Sequence, residues 1–150
     1  MAAVSESVVT AVAHDILVLD TNIVLDLLVF ENSATAGLRP LLEGGMAFWL
    51  ATSAMRQEFE RVLAYHKIAA WQHTRGKTPQ EALTLFDLLS RSAPPAVDAP
   101  VRCSDPDDQI FIDLAVAHRA CLLSKDRAVL RLRKRLAVLG AMVQNAWDRP

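Results

Sequence analysis

The sequence lacks the features that define several protein classes. Its 150 residues include only two cysteines, Cys103 and Cys121, which fit neither a disulfide framework nor a cysteine metal site. No run approaches the roughly 18 apolar residues of a membrane span, and residues 1–15 lack the basic leader of a secretory signal. We therefore expect a soluble, cytoplasmic protein whose cysteines are reduced and buried.

Net charge and aromatic content are also low. Sixteen Lys and Arg residues against 17 Asp and Glu give a net charge of −1, so contact with a polyanion must come from a local patch. Aromatic residues make up 6% of the chain, and its three tryptophans are too scattered to predict a base-stacking platform. Trp71 falls in a loop-prone stretch, where it could stack on a base. The histidines have no metal-ligand spacing.

The chain does contain an alternation of short apolar strands and helices. It is 52% hydrophobic and 22% charged and has no internal repeat, which predicts one globular domain over residues 1–150 with a core at about 16–143. Strands alternating with helices predict an α/β fold, a three-layer α/β/α sandwich with a central, mostly parallel sheet. The predicted strands are 16–19, 46–51, 121–124 and 136–143; the predicted helices are 23–30, 34–43, 53–67, 78–89, 106–119 and 128–136.

Four acids are placed to meet at one edge of this sheet. Asp20 and Asp126 follow two of the strands, and the carboxyl ends of parallel strands are where this class of fold binds ligands. Asp108 opens a helix that is mostly apolar. Glu58 lies beside the apolar stripe of its own helix, where an unpaired carboxylate is costly.

Carboxylates that converge without cations raise one another's pKa and destabilise the ionised set. A divalent ion resolves the conflict, and ligands that are all oxygen favour Mg²⁺ or Mn²⁺. Such a site indicates phosphoryl chemistry, in which the metal activates water and neutralises developing charge. No side-chain nucleophile is then required, and Ser53 and Ser124 have no recognisable base nearby in the sequence.

Four short motifs in order resemble the PIN domain family. They are LDTN at 19–22, the pattern T-S-x-x-x-x-E-x-x-R-V-L at 52–63, DPDD at 105–108 and SKD at 124–126. Their order and their strand and helix contexts agree with that family over about 16–143. The DPDD variant resembles the branch of toxin components of toxin–antitoxin systems, the VapC-like ribonucleases.

The resemblance implies a PIN-like fold and a Mg²⁺- or Mn²⁺-dependent ribonuclease, often a homodimer and commonly neutralised by a small antitoxin. It implies a catalytic, metal-binding quartet and a set of supporting polar residues. The quartet is matched by Asp20, Glu58, Asp108 and Asp126, and the supporting residues are Thr21, Asn22, Ser124 and Asp105. Ala128 departs from the pattern, because many relatives carry a further acid there.

Several of these residues have a second interpretation. Asp105 is expected to cap the following helix rather than to bind metal, and Asp107 competes with Asp108, although spacing favours Asp108. Asp113 is expected to point away from the site or to act through water. Glu58 could pair with Arg61 instead of joining the acids.

Six cations in residues 125–135 form the one basic run of the chain. A solvated helix face and a track for an RNA backbone are equally good explanations, with Lys125, Arg127 and Arg131 as the candidate RNA contacts. The apolar helices 23–30 and 34–42 are candidate dimer surfaces.

Two other protein classes are alternatives to a ribonuclease. A phosphatase of the haloacid dehalogenase type needs a second acid two residues after Asp20, where Asn22 stands. A non-catalytic PIN-like or receiver-like binding module is harder to exclude, although it has no need of Glu58.

Overall fold

The computed structural model describes residues 15–147. Its strands form one sheet in the order β3-β2-β1-β4-β5, and every neighbouring pair of strands in this part of the chain is parallel. The register places Leu17 of the central strand opposite both Trp49 and Cys121. The strands are β1 Ile16–Leu19, β2 Phe48–Ala51, β3 Ser90–Ser92, β4 Cys121–Leu123 and β5 Met142–Gln144. The predicted absence of a leader concerns residues that lie largely outside the described range.

Helices connect these strands and cover the sheet. Strands β2 and β3 lie on one side of β1, and β4 and β5 lie on the other side. Because connections between parallel strands are right-handed, the helices before β3 cover one face of the sheet and those after β3 cover the opposite face. This arrangement confirms the predicted α/β/α sandwich. The helices are α1 Thr21–Leu28, α2 Leu38–Glu43, α3 Ser53–Leu63, α4 His66–Thr74, α5 Pro79–Leu89, α6 Gln109–His118, α7 Arg127–Leu130 and α8 Arg133–Val138, and 3₁₀ turns occupy Ser33–Thr35 and Pro106–Asp108.

Helix α1 lies inside the protein rather than on a free face. Its residues from Ile23 to Leu28 are all buried, and it packs against β1, α3 and α5. Burying a large aliphatic side chain contributes about 1.5–3 kcal/mol, so this helix anchors one half of the core. The proposal that it provides a dimer surface is therefore wrong, because its apolar side chains are already covered by the same chain.

The structure corrects the prediction for the segment that contains Trp71. The predicted helix 53–67 ends at Leu63, and α4 begins at His66, so Trp71 lies on a helix and not in a loop. Its ring is held edge-on against Phe30, with centroids 5.1 Å apart, and the Arg75 guanidinium lies 3.3 Å from its centroid. Trp71 is still 37% exposed, so these contacts cover only part of the ring, and stacking of a base on Trp71 stays a prediction.

Two further differences from the predicted elements concern strands. The predicted strand 136–143 is helical in its first part, and β5 starts only at Met142, after a turn at Gly140 with φ of 90°. β3 was not predicted, because its sequence Ser-Arg-Ser is polar. It is an edge strand that pairs only with β2 among the described residues, so its side chains need not be apolar.

The two cysteines differ in burial. Cys121 is buried in β4, as predicted, whereas Cys103 is only half-buried; neither forms a disulfide within residues 15–147. Between residues 15 and 147, no helix combines the length and the apolar character needed to cross a membrane.

Candidate active site

The first acid of the predicted quartet, Asp20, is fixed at the end of the central strand. It caps α1, because its Oδ1 accepts a hydrogen bond from the Ile23 amide at 3.0 Å. Its Oδ2 accepts a hydrogen bond from the Ser124 hydroxyl. The residue is only 4% exposed. Burial raises the pKa of Asp20 above its usual value, and the hydrogen bonds from Ser124 and Ile23 partly offset that rise.

Ser124 connects the ends of the two strands that carry acids. It is fully buried one residue after β4, and its amide donates to Gln144 O at 2.9 Å. Its Oγ accepts from the Asp126 amide at 3.1 Å while its hydroxyl proton points to Asp20. Asp126 in turn caps α7 by accepting from the Ala128 amide at 2.9 Å. One hydroxyl therefore fixes the relative positions of Asp20 and Asp126.

The DPDD segment brings two further carboxylates to Asp126. Asp105 caps the 3₁₀ turn, accepting from the Asp107 amide at 3.0 Å, and the turn leads directly into α6. One carboxylate oxygen each of Asp105, Asp108 and Asp126 lie within 4.8 Å of one another. Asp105 therefore joins the acidic group in addition to its capping role. Asp107 is exposed, in agreement with the choice of Asp108 over Asp107 by spacing.

The neighbouring carboxylates change the pKa of Asp108. Burial and the adjacent Asp126 carboxyl group, with smaller contributions from Asp105 and Asp20, raise the pKa of Asp108 to about 7. Both causes act in the same direction because each disfavours the charged form. Without a cation, this site holds a proton near neutral pH.

Glu58 reaches the same place from α3. This helix starts at the Thr52 cap, whose hydroxyl accepts from the Met55 amide at 3.3 Å. Glu58 is half-buried and accepts a hydrogen bond from the Thr21 hydroxyl through Oε2. The alternative pairing with Arg61 is absent from the ion pairs of residues 15–147. Thr21 is therefore the hydrogen-bond partner of the Glu58 carboxylate, for which the sequence indicates no partner.

All four predicted acids line one cavity of about 320 Å³. The volume lies within the range of about 300–1,000 Å³ that is typical of ligand sites. The cavity opens beside the carboxyl ends of β1 and β4. The strand order reverses between these two strands, and α/β folds bind ligands at such a position. Its lining consists of the polar residues Asp20, Thr21, Asn22, Glu58, Asp108 and Asp126 and of Leu25, Val62, Tyr65, Ile68 and Phe111.

The polar residues of the cavity lining fit a divalent cation. Asp108 Oδ2 is buried and has no hydrogen-bond partner among the described residues, which is costly for a carboxylate oxygen. The described lining contains four acids and no Lys or Arg. Ligand atoms that are all oxygen suit a hard ion such as Mg²⁺, Mn²⁺ or Ca²⁺.

The comparison with protein families agrees with this geometry. A family profile described as PIN domain matches residues 16–128, from the first residue of β1 into α7. The chain belongs to the PIN domain family. PIN domains are generally nucleases that use divalent metals, and the acidic group of this PIN domain agrees with that class. No curated protein matches the chain.

Sequence reasoning missed one charged residue next to the site. Asp26 is 6% exposed on α1, and its Oδ2 lies 2.6 Å from Lys125 Nζ. This ion pair ties α1 to the segment between Ser124 and Asp126. The signal in the sequence is an acid inside the apolar run IVLDLLVF, which needs a cation when that run is buried.

Asp113 has a structural role outside the cavity. It is buried and accepts from the Ala99 amide at 2.9 Å and from Gln109 Nε2 at 2.8 Å. Gln109 Oε1 accepts from the Cys103 amide at 2.6 Å. The two side chains therefore fasten the connection after β3 to α6, and Asp113 is not part of the cavity lining.

Proposed function

We propose that this PIN domain is a metal-dependent endoribonuclease that hydrolyses RNA phosphodiester bonds with Mg²⁺ or Mn²⁺. The observation that carries the proposal is the convergence of Asp20, Glu58, Asp108 and Asp126 on one cavity. The buried Asp108 oxygen without a hydrogen-bond partner among the described residues supports a cation at that place. Convergence of four acids is unfavourable unless a positive charge joins them.

Each acid has a role that follows from its surroundings. Asp20 and Asp108 hold the principal ion, and Asp126, whose oxygen lies in the same 4.8 Å group as that of Asp108, completes the site or a weaker second one. A bound ion lowers the pKa of water and neutralises charge on the phosphate as it reacts. Ser124 and Thr21 keep Asp20 and Glu58 in place through their hydrogen bonds.

Glu58 orients or deprotonates the attacking water. Its Oε2 accepts from Thr21, and the other carboxylate oxygen is left to accept a proton from water. Asn22 lines the cavity as a neutral, exposed side chain that leaves the phosphate room to approach. Asp105 shapes the turn that carries Asp108.

The basic segment beside Asp126 supplies the contact with the RNA backbone. Arg127 and Arg131 are exposed on and just after α7, and neither forms an ion pair within residues 15–147. Lys125 is held by Asp26, so it contributes less to RNA contact than the sequence suggests. Contacts with phosphate make binding weaken as salt rises.

Cleavage of single-stranded RNA by the purified chain tests this function. We expect cleavage with Mn²⁺ or Mg²⁺ and none with EDTA, and we expect Asp20→Asn to abolish it while circular dichroism shows an unchanged fold. Cleavage that persists in EDTA, or in the Asp20→Asn variant, contradicts the proposed site. RNA binding without metal-dependent cleavage on varied RNAs indicates a binding module instead.

The biological setting is part of the same proposal. We infer a single-domain toxin of a toxin–antitoxin pair in the cytoplasm, VapC-like, that works as a homodimer and is neutralised by a small antitoxin. The DPDD segment that carries Asp108 supports the toxin assignment, and the low cysteine content, with no disulfide in the described part of the chain, supports the compartment. A neighbouring reading frame for a small DNA-binding protein, and the mass of the chain in solution, test it.

A further inference from the structure

We propose that the RNA substrate extends from the cavity along a basic strip on α7 and α8 and reaches the opposite ends of the strands. The inference rests on the endoribonuclease function proposed above and adds how much of the RNA the protein contacts. The basic strip consists of six exposed cations, which are Arg119, Arg127, Arg131, Arg133, Lys134 and Arg135.

Positive charge in this protein is concentrated in one short segment. Residues 119–135 hold seven of the 16 Lys and Arg residues but one of the 17 Asp and Glu residues. Lys125 is paired with Asp26, whereas none of the six cations of the basic strip forms an ion pair within residues 15–147. A chain with a net charge of −1 therefore presents one strongly positive surface.

The spacing of these cations does not suit a helix face that meets only water. Such a face is stabilised when acids lie three or four residues from bases, where the opposite charges attract. No acid occurs between Arg127 and Gln144, and Arg127 and Arg131 are like charges four residues apart at the two ends of α7. Like charges at that spacing repel each other, so a ligand that supplies negative charge stabilises the basic strip.

The topology of the chain carries the basic strip away from the cavity. Asp126 caps α7 at the carboxyl end of β4, and the connection through α8 returns to the amino end of β5, because β4 and β5 are parallel. The two ends are about 10 Å apart, since β4 has three residues. A stacked strand carries a phosphate about every 3.4 Å, so the basic strip spans about three phosphates beyond the cavity.

Arg119 lies at the far end of the basic strip. It follows α6 in the left-handed conformation, with φ of 50°, at a position where glycine or asparagine is usual. Its side chain packs on the turn before β5, since a Cβ atom at Gly140 would lie only 3.1 Å from Arg119 Cγ. An arginine held in an unfavourable backbone conformation indicates a function for its side chain. The contact with Gly140 restricts that side chain, so less entropy is lost when it binds a phosphate.

An RNA backbone fits the basic strip better than a second copy of the chain does. A second copy presents the same positive charges, and like charges that face each other across an interface are costly. An RNA bound for cleavage already lies at Asp126, which directly precedes Arg127. Its backbone can therefore continue onto α7 and α8 without a second, independent binding event.

The salt dependence of RNA binding tests the basic strip separately from cleavage. A labelled single-stranded RNA is titrated in Ca²⁺ at several salt concentrations, with the RNA confirmed intact on a gel. The α8 triple variant combines Arg133→Gln, Lys134→Gln and Arg135→Gln, and glutamine keeps helix propensity close to that of lysine and arginine. We expect it to reduce the slope of log binding constant against log salt by about 2, or about 0.7 for each lost phosphate contact.

Arg119→Asn tests the far end of the basic strip alone. It should reduce the slope by about 0.7 without lowering Tm, because asparagine tolerates the left-handed conformation. Arg91→Gln is its control, since Arg91 is exposed on β3 at the other side of the sheet. Arg133→Lys with Arg135→Lys keeps all three charges of α8 and should keep the wild-type slope.

The length of the RNA gives an independent readout. Once the cleaved bond is mapped, lengthening the RNA on one side of that bond should tighten binding by wild type more than binding by the α8 triple variant. An equal gain in the two proteins would mean that the added nucleotides do not meet α8, and would overturn the inference.

The remaining outcomes separate this inference from the proposed function. Unchanged salt slopes in the α8 triple variant and Arg119→Asn, or an equal fall in Arg91→Gln, overturn the basic strip and leave the nuclease in place. Slopes that fall as expected without any Mn²⁺-dependent cleavage support the basic strip and contradict the nuclease. Loss of binding to a polyglutamate peptide with unchanged RNA binding assigns the surface to an acidic protein and also overturns the inference.

Discussion

Ser124 donates a hydrogen bond to Asp20 across 104 residues of sequence. The contact joins the ends of β1 and β4, which are neighbours in the sheet, and the same Oγ accepts from the Asp126 amide. A buried carboxylate that would otherwise favour its neutral form is thereby kept closer to ionisation. The hydroxyl matters for the charge of the site as well as for its shape.

Replacing Ser124 with alanine should shift the pH dependence of RNA cleavage. The hydrogen bond lowers the pKa of Asp20 against the effect of burial, so its loss raises that pKa further. Less of the carboxylate is then ionised at a given pH, and the acidic limb of kcat/KM moves to higher pH. Ser92→Ala, at an exposed serine of β3, is the control. Superimposable acidic limbs for Ser124→Ala and wild type would argue against this role.

The stability of the metal-free protein should fall as pH rises from about 4 to 7. The unfolded chain loses the Asp108 proton near 3.8, whereas the folded chain keeps it until about 7, so the unfolded state binds fewer protons in this range. The contribution of Asp108 to stability is fully present below its pKa in the unfolded chain and is lost as pH rises through its pKa in the folded protein. Thermal unfolding in EDTA between pH 4 and 8 measures it.

The Asp108→Asn variant provides the comparison for that measurement. Its Tm should fall less steeply with rising pH than that of wild type and should be higher than wild type at pH 8, although the variant loses the proposed metal site. Asp107→Asn, one residue away and exposed, should keep the wild-type decline. Parallel curves for wild type and Asp108→Asn would rule out Asp108 as the source of the pH dependence.

Replacing Lys125 should mainly lower stability, whereas replacing Arg131 should mainly lower RNA affinity. Lys125→Met leaves the buried Asp26 carboxylate without its cation and should lower the free energy of unfolding by about 1–3 kcal/mol. Arg131→Met should change stability by less than about 0.5 kcal/mol and reduce the slope of log binding constant against log salt by about 0.7 for each lost phosphate contact. Urea unfolding and binding titrations over salt concentration measure the two effects. Equal loss of RNA affinity in both variants would contradict the different roles assigned to Lys125 and Arg131.

The sequence was sufficient for the parts of the fold that depend on short-range patterns. The apolar run before Asp20 and the strand before Ser124 are recognisable because both are buried in the sheet and end in polar residues. The Thr78 cap with proline at the next position correctly predicts α5. Acids that follow such strands meet at one edge by topology alone, so Asp20 and Asp126 could be predicted together.

The remaining features depend on contacts between distant residues. The polar β3 is a strand because β2 offers it a partner, and nothing in Ser-Arg-Ser favours one. The Thr21 contact with Glu58 and the Lys125 contact with Asp26 join residues far apart in sequence. The local pattern places Trp71 in a loop, because it does not reveal the contacts that the ring makes with Phe30 and Arg75 from α4.

The central claim is that a cation held by Asp108 and its neighbours is required for RNA cleavage. Its most direct test is the Mn²⁺-dependent rate of RNA cleavage by Asp108→Asn beside Asp107→Asn, two variants that remove one charge each at adjacent positions. Asp108 lines the cavity with a buried, unpartnered oxygen among the described residues, whereas Asp107 is exposed. We predict a loss of at least about a hundredfold for Asp108→Asn and near wild-type cleavage for Asp107→Asn. Equal rates in the two variants would contradict the claim.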